Sequence, residues 1–343
     1  MKNWEQSLLE GQVIPACPLA LTSSGDWCSK YQKALIRYYQ AAGAGGVAVG
    51  VHTTQFELRE HGLYEPVLRA VSKVLDQSPL SESEFIRVAG LCGSKGQTLE
   101  EAQLAHQMGY HLGLLSPSGL KDLTEDELVM HTAAVAKVIP VFGFYLQPAV
   151  GGRIFSADYW RRLVQIDNLK AIKIAAFNRY QTIDVLRAVA EVNREDLAIY
   201  TGNDDNIIVD LLTPISMSQM ESLRWMAGGL LGQWAVWTRQ AVQMLTAIKE
   251  SRQEGKIERR LLLENLRLTD ANAALFDARH QFKGCIAGIN EVLYRQGLLP
   301  SSRCLSATER LSPGQSIEID RVYEYGALEH HWISENLENW LSD

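Results

Sequence analysis

The chain has 343 residues, of which 46% are hydrophobic and 21% are charged, and its net charge is -7. This acidic balance disfavours binding to nucleic acid and to acidic membrane lipid, because both are negatively charged. No apolar run approaches the roughly 18 residues that a membrane-spanning helix needs, so we expect no membrane contact.

The first residues and the cysteines bear on the cellular compartment. The opening segment contains acidic side chains and lacks the apolar stretch of a signal peptide, which predicts a cytoplasmic protein. The five cysteines are odd in number and widely spaced, so they suggest neither a disulfide framework nor a CxxC metal site. We therefore expect reduced thiols.

Short apolar runs rich in Val, Ile, Tyr and Phe alternate with segments of helical period, which is typical of βα units around a parallel sheet. The eight predicted strands lie at 13–21, 46–53, 86–92, 111–116, 141–148, 171–175, 197–202 and 223–229. The helices that follow them are predicted from Tyr31 to Ala42 and at 63–77, 98–109, 124–138, 156–166, 179–193, 205–213 and 234–251. Eight parallel units favour a closed (β/α)8 TIM barrel over a doubly wound sheet, which usually has five or six strands.

The chain changes character near residue 254, beyond which no strand pattern appears. Segments 257–268, 271–297 and 322–341 are predicted to be helical, and residues 299–316 carry the turn residues of a mobile loop. We therefore expect a catalytic barrel over residues 1–253 and a C-terminal α-helical domain over residues 254–343.

Lys173 is unusual because it lies inside the apolar sixth strand, with an isoleucine on each side. Alternate residues of a barrel strand face the interior, so Lys173 should point inward together with Ala171 and Ala175. The opposite orientation would place a charge between the strands and the helices, at a cost of several kcal/mol. A poorly hydrated amine has a lowered pKa, and its neutral form is a nucleophile toward ketones. The alternative is a lysine that only fills a polar barrel mouth, paired with a carboxylate.

The lysine strand L-K-A-I-K at 169–173 resembles the I-x-G-I-K-D strand of the dihydrodipicolinate synthase and N-acetylneuraminate lyase family of Schiff-base aldolases. Further similar segments are V-I-P-A at 13–16, G-L-C-G-S-K-G-Q-T-L-E-E-A at 90–102, T-G-N-D-D at 201–205 and the F-K-G-C run that starts at 282. The resemblance spans nearly the whole chain and identifies a divergent member. It implies that Lys173 forms the Schiff base, that no metal or cofactor is needed, and that the protein is a homo-oligomer, either a dimer or a tetramer.

The family's fifth strand reads P-V-x-x-Y-N-x-P and carries a proton-relaying tyrosine, whereas residues 140–148 read P-V-F-G-F-Y-L-Q-P, which is one residue longer. Gly143, Tyr145 and Gln147 suit a polar interior better than the alternate set of residues does. This parity assigns the relay to Tyr145. The alternative is a tyrosine packed under a helix, with its hydroxyl hydrogen-bonded there.

The resemblance also implies the residues that bind the keto acid. The family's G-T-T-G-E stretch corresponds here to G-V-H-T-T-Q-F at 50–56, so Thr53 is assigned the carboxylate and relay role. Thr54 is a second candidate ligand and His52 an additional acid or base, although a lone histidine is more often structural. The remaining predicted substrate-binding residues are Gly202, Asn203, Asp204 and Arg153.

These features predict a lyase, aldolase or dehydratase that acts on pyruvate or a related 2-oxo acid. The tyrosine pair that follows the fourth strand of the lysine-pathway synthase has no counterpart in S-P-S-G-L at 116–120, which argues against that particular enzyme. The alternative is a catalytically silent barrel that binds a small carboxylic acid as a sensor or scaffold, in line with the altered loop after the second strand.

Overall fold

The computed structural model describes residues 4–78, 85–192, 194–215 and 224–342. Within them, eight parallel strands form one sheet in the order β1-β8-β7-β6-β5-β4-β3-β2. The strands are β1 (Val13–Pro15), β2 (Gly46–Val49), β3 (Ile86–Leu91), β4 (Leu112–Leu115), β5 (Val141–Leu146), β6 (Leu169–Ala175), β7 (Ala198–Thr201) and β8 (Gly228–Leu231). The first and second strands are joined where Gly45 N donates to Val13 O (3.1 Å) and Cys17 N donates to Ala48 O (2.8 Å).

Helices alternate with the strands and then continue to the end of the described chain. They are α1 (Trp4–Glu10), α2 (Ser29–Ala41), α3 (Tyr64–Asp76), α4 (Lys95–Gln107), α5 (Glu125–Ala136), α6 (Ala157–Leu163), α7 (Arg179–Val192), α8 (Ile207–Leu212), α9 (Thr238–Glu254), α10 (Arg259–Leu275), α11 (Cys285–Arg295), α12 (Gln315–Val322) and α13 (Ala327–Leu341). The predicted (β/α)8 barrel with a C-terminal helical extension is confirmed. The division into two domains at residue 253 stays a prediction.

Several predicted elements are wrong in detail, since the first strand ends at Pro15 rather than at residue 21 and α1 was not predicted. The eighth strand lies at Gly228–Leu231 rather than 223–229, and residue 223 falls outside the described residues. Its two glycines allow close packing, because a Cβ on Gly228 would lie 2.3 Å from Gln12 O. The predicted helix 271–297 is broken between α10 and α11, where Asp277, Gln281 and Phe282 all have positive φ.

Two apolar layers follow from the alternation along the strands. The inner layer fills the barrel with side chains such as Phe142 and Tyr200, whose rings lie 5.4 Å apart, and the outer layer lies between the strands and the helices. The first helix closes the N-terminal end of the barrel, because Tyr200 Oη donates to Leu8 O (2.8 Å). The barrel interior is therefore packed below and has its free space at the C-terminal ends of the strands.

The C-terminal helices and the predicted loop 299–316 pack against the barrel. Ser301 Oγ donates to Leu21 O (2.7 Å), and Leu305 N donates to the side-chain oxygen of Gln55 (2.6 Å). The first regular element after α11 begins at Gln315. None of the described helices is long and apolar enough to cross a membrane.

Candidate active site

Lys173 lies on the inner face of β6, near its C-terminal end, as predicted. Ala171 and Ala175 belong to the inner apolar layer, as do the residues opposite the lysine on β5 and β7. Ile172 and Ile174 belong to the outer layer. The Lys173 side chain is only 9% exposed. Its room depends on Gly202, because a Cβ at that position would lie 2.5 Å from Lys173 Cε and 2.9 Å from the Ala175 Cβ.

The charge state of Lys173 is set by burial and by one carboxylate. Burial lowers the pKa of Lys173 from 10.5 to about 8, and the nearby Asp204 acts in the opposite direction. Burial also raises the pKa of Asp204 to about 7, and Lys173 partly offsets that rise. The Lys173 amine additionally lies 4.6 Å from the centre of the Phe144 ring, a distance at which the ring attracts the ammonium form. The pKa of Lys173 is therefore low enough for a useful fraction of the amine to be neutral at physiological pH.

Asp204 is held in place by the chain around it. Gln233 N donates to Asp204 Oδ1 (3.3 Å), and Asn272 Nδ2 donates to the Asp204 backbone oxygen (2.7 Å). Asp204 is 8% exposed and lines the same cavity as Lys173. A C-terminal helix thus fixes the loop that carries the carboxylate.

His52 and Thr53 face this cavity from the loop after β2. Burial, together with the charge of Lys173, lowers the pKa of His52 to about 4, so the imidazole is neutral at physiological pH. Thr53 is buried, and within the described residues no hydrogen bond engages its hydroxyl. Both side chains are therefore available to a ligand.

A buried ion pair stabilises the loop after β2. Arg59 Nε and one terminal nitrogen donate to the two carboxylate oxygens of Glu101 (2.7 and 2.9 Å), and the guanidinium also donates to Gly90 O (3.0 Å). Glu101 further accepts from Cys92 N (3.1 Å). A two-point pair of this kind fixes both the distance and the orientation of the segments that it joins.

The cavity has a volume of about 60 Å³ and opens to solvent. Its polar lining comprises His52, Thr53, Gln147, Lys173 and Asp204, and most of the remainder is apolar. The side chains that complete the wall are Ala16, Val51, Leu114, Phe144, Leu146, Val150, Ala175, Phe177, Phe276, Phe282, Cys285, Ile286 and Ile289, with Gly202 and Gly232. No group of three or more His, Cys, Asp or Glu side chains among the described residues could hold a metal ion.

The predicted inward orientation of Tyr145 is wrong. Tyr145 belongs to the outer apolar layer, where its ring lies 4.9 Å from the ring of Trp160 on α6 and 5.7 Å from that of Phe155. The inner face of β5 carries Phe142 and Phe144 instead, because large apolar side chains fill the barrel below its mouth. Tyr145 therefore lies on the other side of the sheet from the Lys173 amine.

Three further predicted ligands lie outside the cavity lining. The Thr54 hydroxyl donates to Cys17 O (2.7 Å) and accepts from Val51 N (3.2 Å), so it stabilises the loop turn. The Asn203 side chain accepts from Phe177 N (2.9 Å) and donates to Asp210 (2.8 Å). One Arg153 terminal nitrogen donates to the backbone oxygen of Leu123 (2.7 Å), which holds the guanidinium at the neighbouring loop. These polar groups are used within the protein itself.

Several cavity residues were not predicted as site residues. Phe144 stands four residues after Pro140, where the family motif has its tyrosine, so counting from that proline identifies the inward residue and the loss of its hydroxyl. The wall formed by Phe276, Phe282 and α11 carried no comparable signal, because it depends on how the C-terminal helices pack on the barrel.

The geometry is that of a parallel barrel with a buried amine facing a cavity, which is the class of site that Schiff-base enzymes use. No protein-family model matches the chain. The chain is 25% identical over 200 residues to the 4-hydroxy-tetrahydrodipicolinate synthase of Acaryochloris marina (strain MBIC 11017), an alignment that covers 57% of this chain and 64% of the relative.

Solved structures share the fold over almost the whole chain. A chloride-inhibited dihydrodipicolinate synthase from Acinetobacter baumannii, complexed with pyruvate, has a TM-score of 0.76 at 17% identity and covers 92% of this chain and 99% of its own. The N-acetylneuraminate lyase of Fusobacterium nucleatum has a TM-score of 0.72 at 13% identity, with coverage of 92% and 99%. These findings confirm the resemblance stated above. The chain shares its fold with these solved structures and part of its sequence with the Acaryochloris marina synthase.

Proposed function

We propose that this protein is a Schiff-base-forming lyase or aldolase that acts on pyruvate or a related 2-oxo acid through Lys173. The observation that supports the proposal is the buried Lys173 amine, whose pKa is lowered to about 8 beside an open cavity. An ordinary surface lysine is almost fully protonated at neutral pH and is a poor nucleophile.

The first half of the reaction follows from this amine. Neutral Lys173 attacks the C2 carbonyl carbon of the keto acid, and the carbonyl electrons move to oxygen. The resulting carbinolamine loses its hydroxyl as water and leaves an iminium, and Asp204, with its pKa raised to about 7, supplies the proton for that water. The Thr53 hydroxyl and the Gln147 side chain line the same cavity and are the proposed donors to the substrate carboxylate.

The second half is loss of a proton from C3 of the iminium, which yields an enamine. His52 is neutral because its pKa is lowered to about 4, so it has a free lone pair to accept this proton, and Thr53 can pass it on. This route differs from that of the family's tyrosine, since Phe144 has no hydroxyl and Tyr145 packs against Trp160. The enamine carbon then forms or breaks a carbon–carbon bond, or expels a leaving group.

A second candidate is a silent barrel that binds a 2-oxo acid without turning it over. The observation that favours it is Phe144, whose ring lies 4.6 Å from the Lys173 amine at the place of the family's relay tyrosine. Such a protein would form the iminium and stop there. The cytoplasmic location and the homo-oligomeric assembly of the protein stay predictions under either candidate.

Pyruvate is the probe that tests the proposal, since one structural relative is named as complexed with it. The protein is incubated with pyruvate, reduced with borohydride and analysed by peptide mass spectrometry, and we expect the adduct on Lys173. Lys173→Ala should lose the adduct, whereas the neighbouring Lys170→Ala, which removes an amine paired with Asp196 (3.5 Å), should retain it. Absence of an adduct with pyruvate and other 2-oxo acids would refute the proposal, as would turnover by Lys173→Ala.

Proton transfer separates the two candidates. In heavy water, an enzyme that forms the enamine exchanges the methyl protons of pyruvate for deuterium, which proton nuclear magnetic resonance detects as loss of the methyl signal. We expect exchange in the unmodified protein and none in Lys173→Ala. A trapped adduct without exchange would favour the silent barrel.

A further inference from the structure

One apolar wall of the cavity is contributed mostly by residues that follow the barrel, Phe282 among them. Phe276 directly follows α10, and Cys285, Ile286 and Ile289 lie on α11, so two C-terminal helices position this wall. Phe177, from the loop after β6, completes it.

Two of these phenylalanines have backbone conformations that bulky residues rarely adopt. Phe177 has a φ of 50° and Phe282 a φ of 65°, and their rings meet edge to face with centroids 5.4 Å apart. Strained backbone of this kind persists only where the surroundings enforce it, and it is concentrated at functional sites. Both rings are partly exposed to solvent and line the cavity.

The surroundings that enforce these conformations can be identified. Phe177 N donates to the side chain of buried Asn203 (2.9 Å), and Phe282 N donates to Asp277 O (3.1 Å). The Asp277 carboxylate in turn accepts from Gly284 N (3.1 Å) and from Ser312 Oγ, so a buried acid organises the turn that presents the Phe282 ring. The phenylalanine pair is therefore a constructed part of the cavity.

The charges in the cavity are few. Among the described lining residues, Lys173 is the cation and Asp204 the carboxylate, and the lining contains no arginine. The Arg153 guanidinium is bound to the Leu123 backbone oxygen instead. The cavity thus offers five polar side chains among a larger number of apolar ones, and it contains no arginine that would bind a second carboxylate.

We infer that the carbonyl compound that joins to, or leaves from, the Lys173 enamine is an aldehyde that bears an aromatic or branched aliphatic group. This inference depends on the proposed function. In the joining direction, enamine C3 bonds to the aldehyde carbon, the aldehyde oxygen takes up a proton, and water hydrolyses the iminium. Pyruvate and the aldehyde thereby give a 4-hydroxy-2-oxo acid and the free Lys173 amine, with no oxidant or reductant. The aldehyde's substituent packs against Phe177, Phe282 and Ile286.

The test compares two sets of aldehydes with pyruvate as the common partner. Benzaldehyde and isovaleraldehyde form the apolar set, D-glyceraldehyde and D-erythrose form the hydroxylated set, and the 4-hydroxy-2-oxo acid product is measured by liquid chromatography and mass spectrometry. We expect kcat/KM to be at least about tenfold higher for the apolar set. Phe282→Gly removes the ring at a position where glycine's conformational freedom suits the positive φ, and it should lower this preference about tenfold.

Matched controls separate the wall from general damage. Phe282→Leu keeps an apolar side chain and should retain most of the preference, and Tyr180→Ala removes an aromatic ring that is 83% exposed, away from the cavity, and should leave the preference unchanged. The pyruvate adduct on Lys173 is measured in each variant without any aldehyde.

The outcomes are distinguishable. Absence of the pyruvate adduct in the unmodified protein overturns the proposed function, and this inference with it. An intact adduct with equal or greater turnover of the hydroxylated set, or with turnover of neither set, overturns this inference alone. A preference that survives Phe282→Gly unchanged also overturns it, because the apolar wall would then not be its cause.

Discussion

The burial of Lys173 and its electrostatic interaction with Asp204 give a quantitative prediction for the reactivity of the amine. With the pKa lowered from 10.5 to about 8, roughly one Lys173 in ten is neutral at pH 7, compared with about one in 3000 for an ordinary lysine. Burial thus raises the reactive fraction about 300-fold, and the carboxylate of Asp204 limits the gain by favouring the ammonium.

Asp204→Asn removes that carboxylate and retains an oxygen that can accept from Gln233 N. An opposite charge close to an amine typically raises its pKa by about 1 to 3 units, so at the lower limit the variant brings the Lys173 pKa from about 8 to about 7. About half of the amine is then neutral at pH 7, which is roughly a fivefold increase in the nucleophilic form.

Competitive labelling with a small excess of acetic anhydride measures this fraction without requiring catalysis. The acetylation rate of Lys173 is followed by mass spectrometry from pH 6 to pH 10, and Lys170 in the same molecule is the internal standard. We expect the midpoint for Lys173 near pH 8 in the unmodified protein and about one pH unit lower in Asp204→Asn. An unchanged or higher midpoint would refute the assigned coupling, and a midpoint near 10.5 in the unmodified protein would refute the effect of burial.

Three further substitutions test the structure around the amine. Gly202→Ala places a methyl group 2.5 Å from Lys173 Cε, and the lysine side chain can move away from it. We therefore expect borohydride trapping of pyruvate to fall at least about tenfold, while the thermal midpoint shifts by only a few degrees. A large loss of stability with unchanged trapping would contradict this prediction. Glu101→Ala leaves the buried Arg59 without its carboxylate partner and should lower the free energy of unfolding, measured in urea, by about 3 to 5 kcal/mol. The control Glu100→Ala removes an exposed side chain and should lower it by less than about 0.5 kcal/mol. Equal effects of the two substitutions would refute the role of the ion pair. Lys173→Met removes an amine whose folded-state pKa is lowered, and the resulting destabilisation is fully present below about pH 8 and fades toward pH 10.5. The variant should therefore raise the free energy of unfolding at pH 7 by about 1 to 3 kcal/mol and by less at pH 10. A destabilised Lys173→Met at pH 7 would contradict the reasoning.

The barrel could be predicted from the sequence because its signals are local. Strand composition, helical period and the spacing of the units lie within short windows, so even approximate boundaries gave the correct number and order of strands. The predicted eighth strand ended at Gly229, whereas the strand begins at Gly228. Gly228 allows close packing against the backbone of Gln12, which is distant in sequence.

The site was predicted only where alternation and side-chain chemistry agree. Lys173 had small inward neighbours and a large energetic penalty for facing outward, and its orientation was correct. For β5 the assumption of a polar interior failed, since Phe142 and Phe144 fill the barrel and Tyr145 packs with Trp160. The polar character of a barrel is confined to its mouth, and β5 reaches that mouth only at its end.

Polar residues beside the site were predicted as ligands because the sequence does not show which hydrogen-bonding groups are already in use. Thr54 and Asn203 are as polar as Thr53, yet their side chains bond to Cys17 O and to Phe177 N. The apolar wall could not be predicted at all. It forms where residues 276–289 cross the barrel mouth, and no local pattern reports that contact.

The proposed chemistry at Lys173 is supported on energetic grounds as well as on geometric ones. Displacing the pKa from 10.5 to about 8 means that the fold disfavours the charged amine by about 3 kcal/mol, a sizeable fraction of a typical domain's net stability. Gly202 leaves room for the side chain, and among the described residues no carboxylate lies within 4.0 Å of the amine. A scaffold that only filled its barrel would be more stable with a neutral side chain at this position or with a close ion pair. A buried lysine that has no close carboxylate and that faces a cavity is the arrangement expected of a group kept for its reactivity.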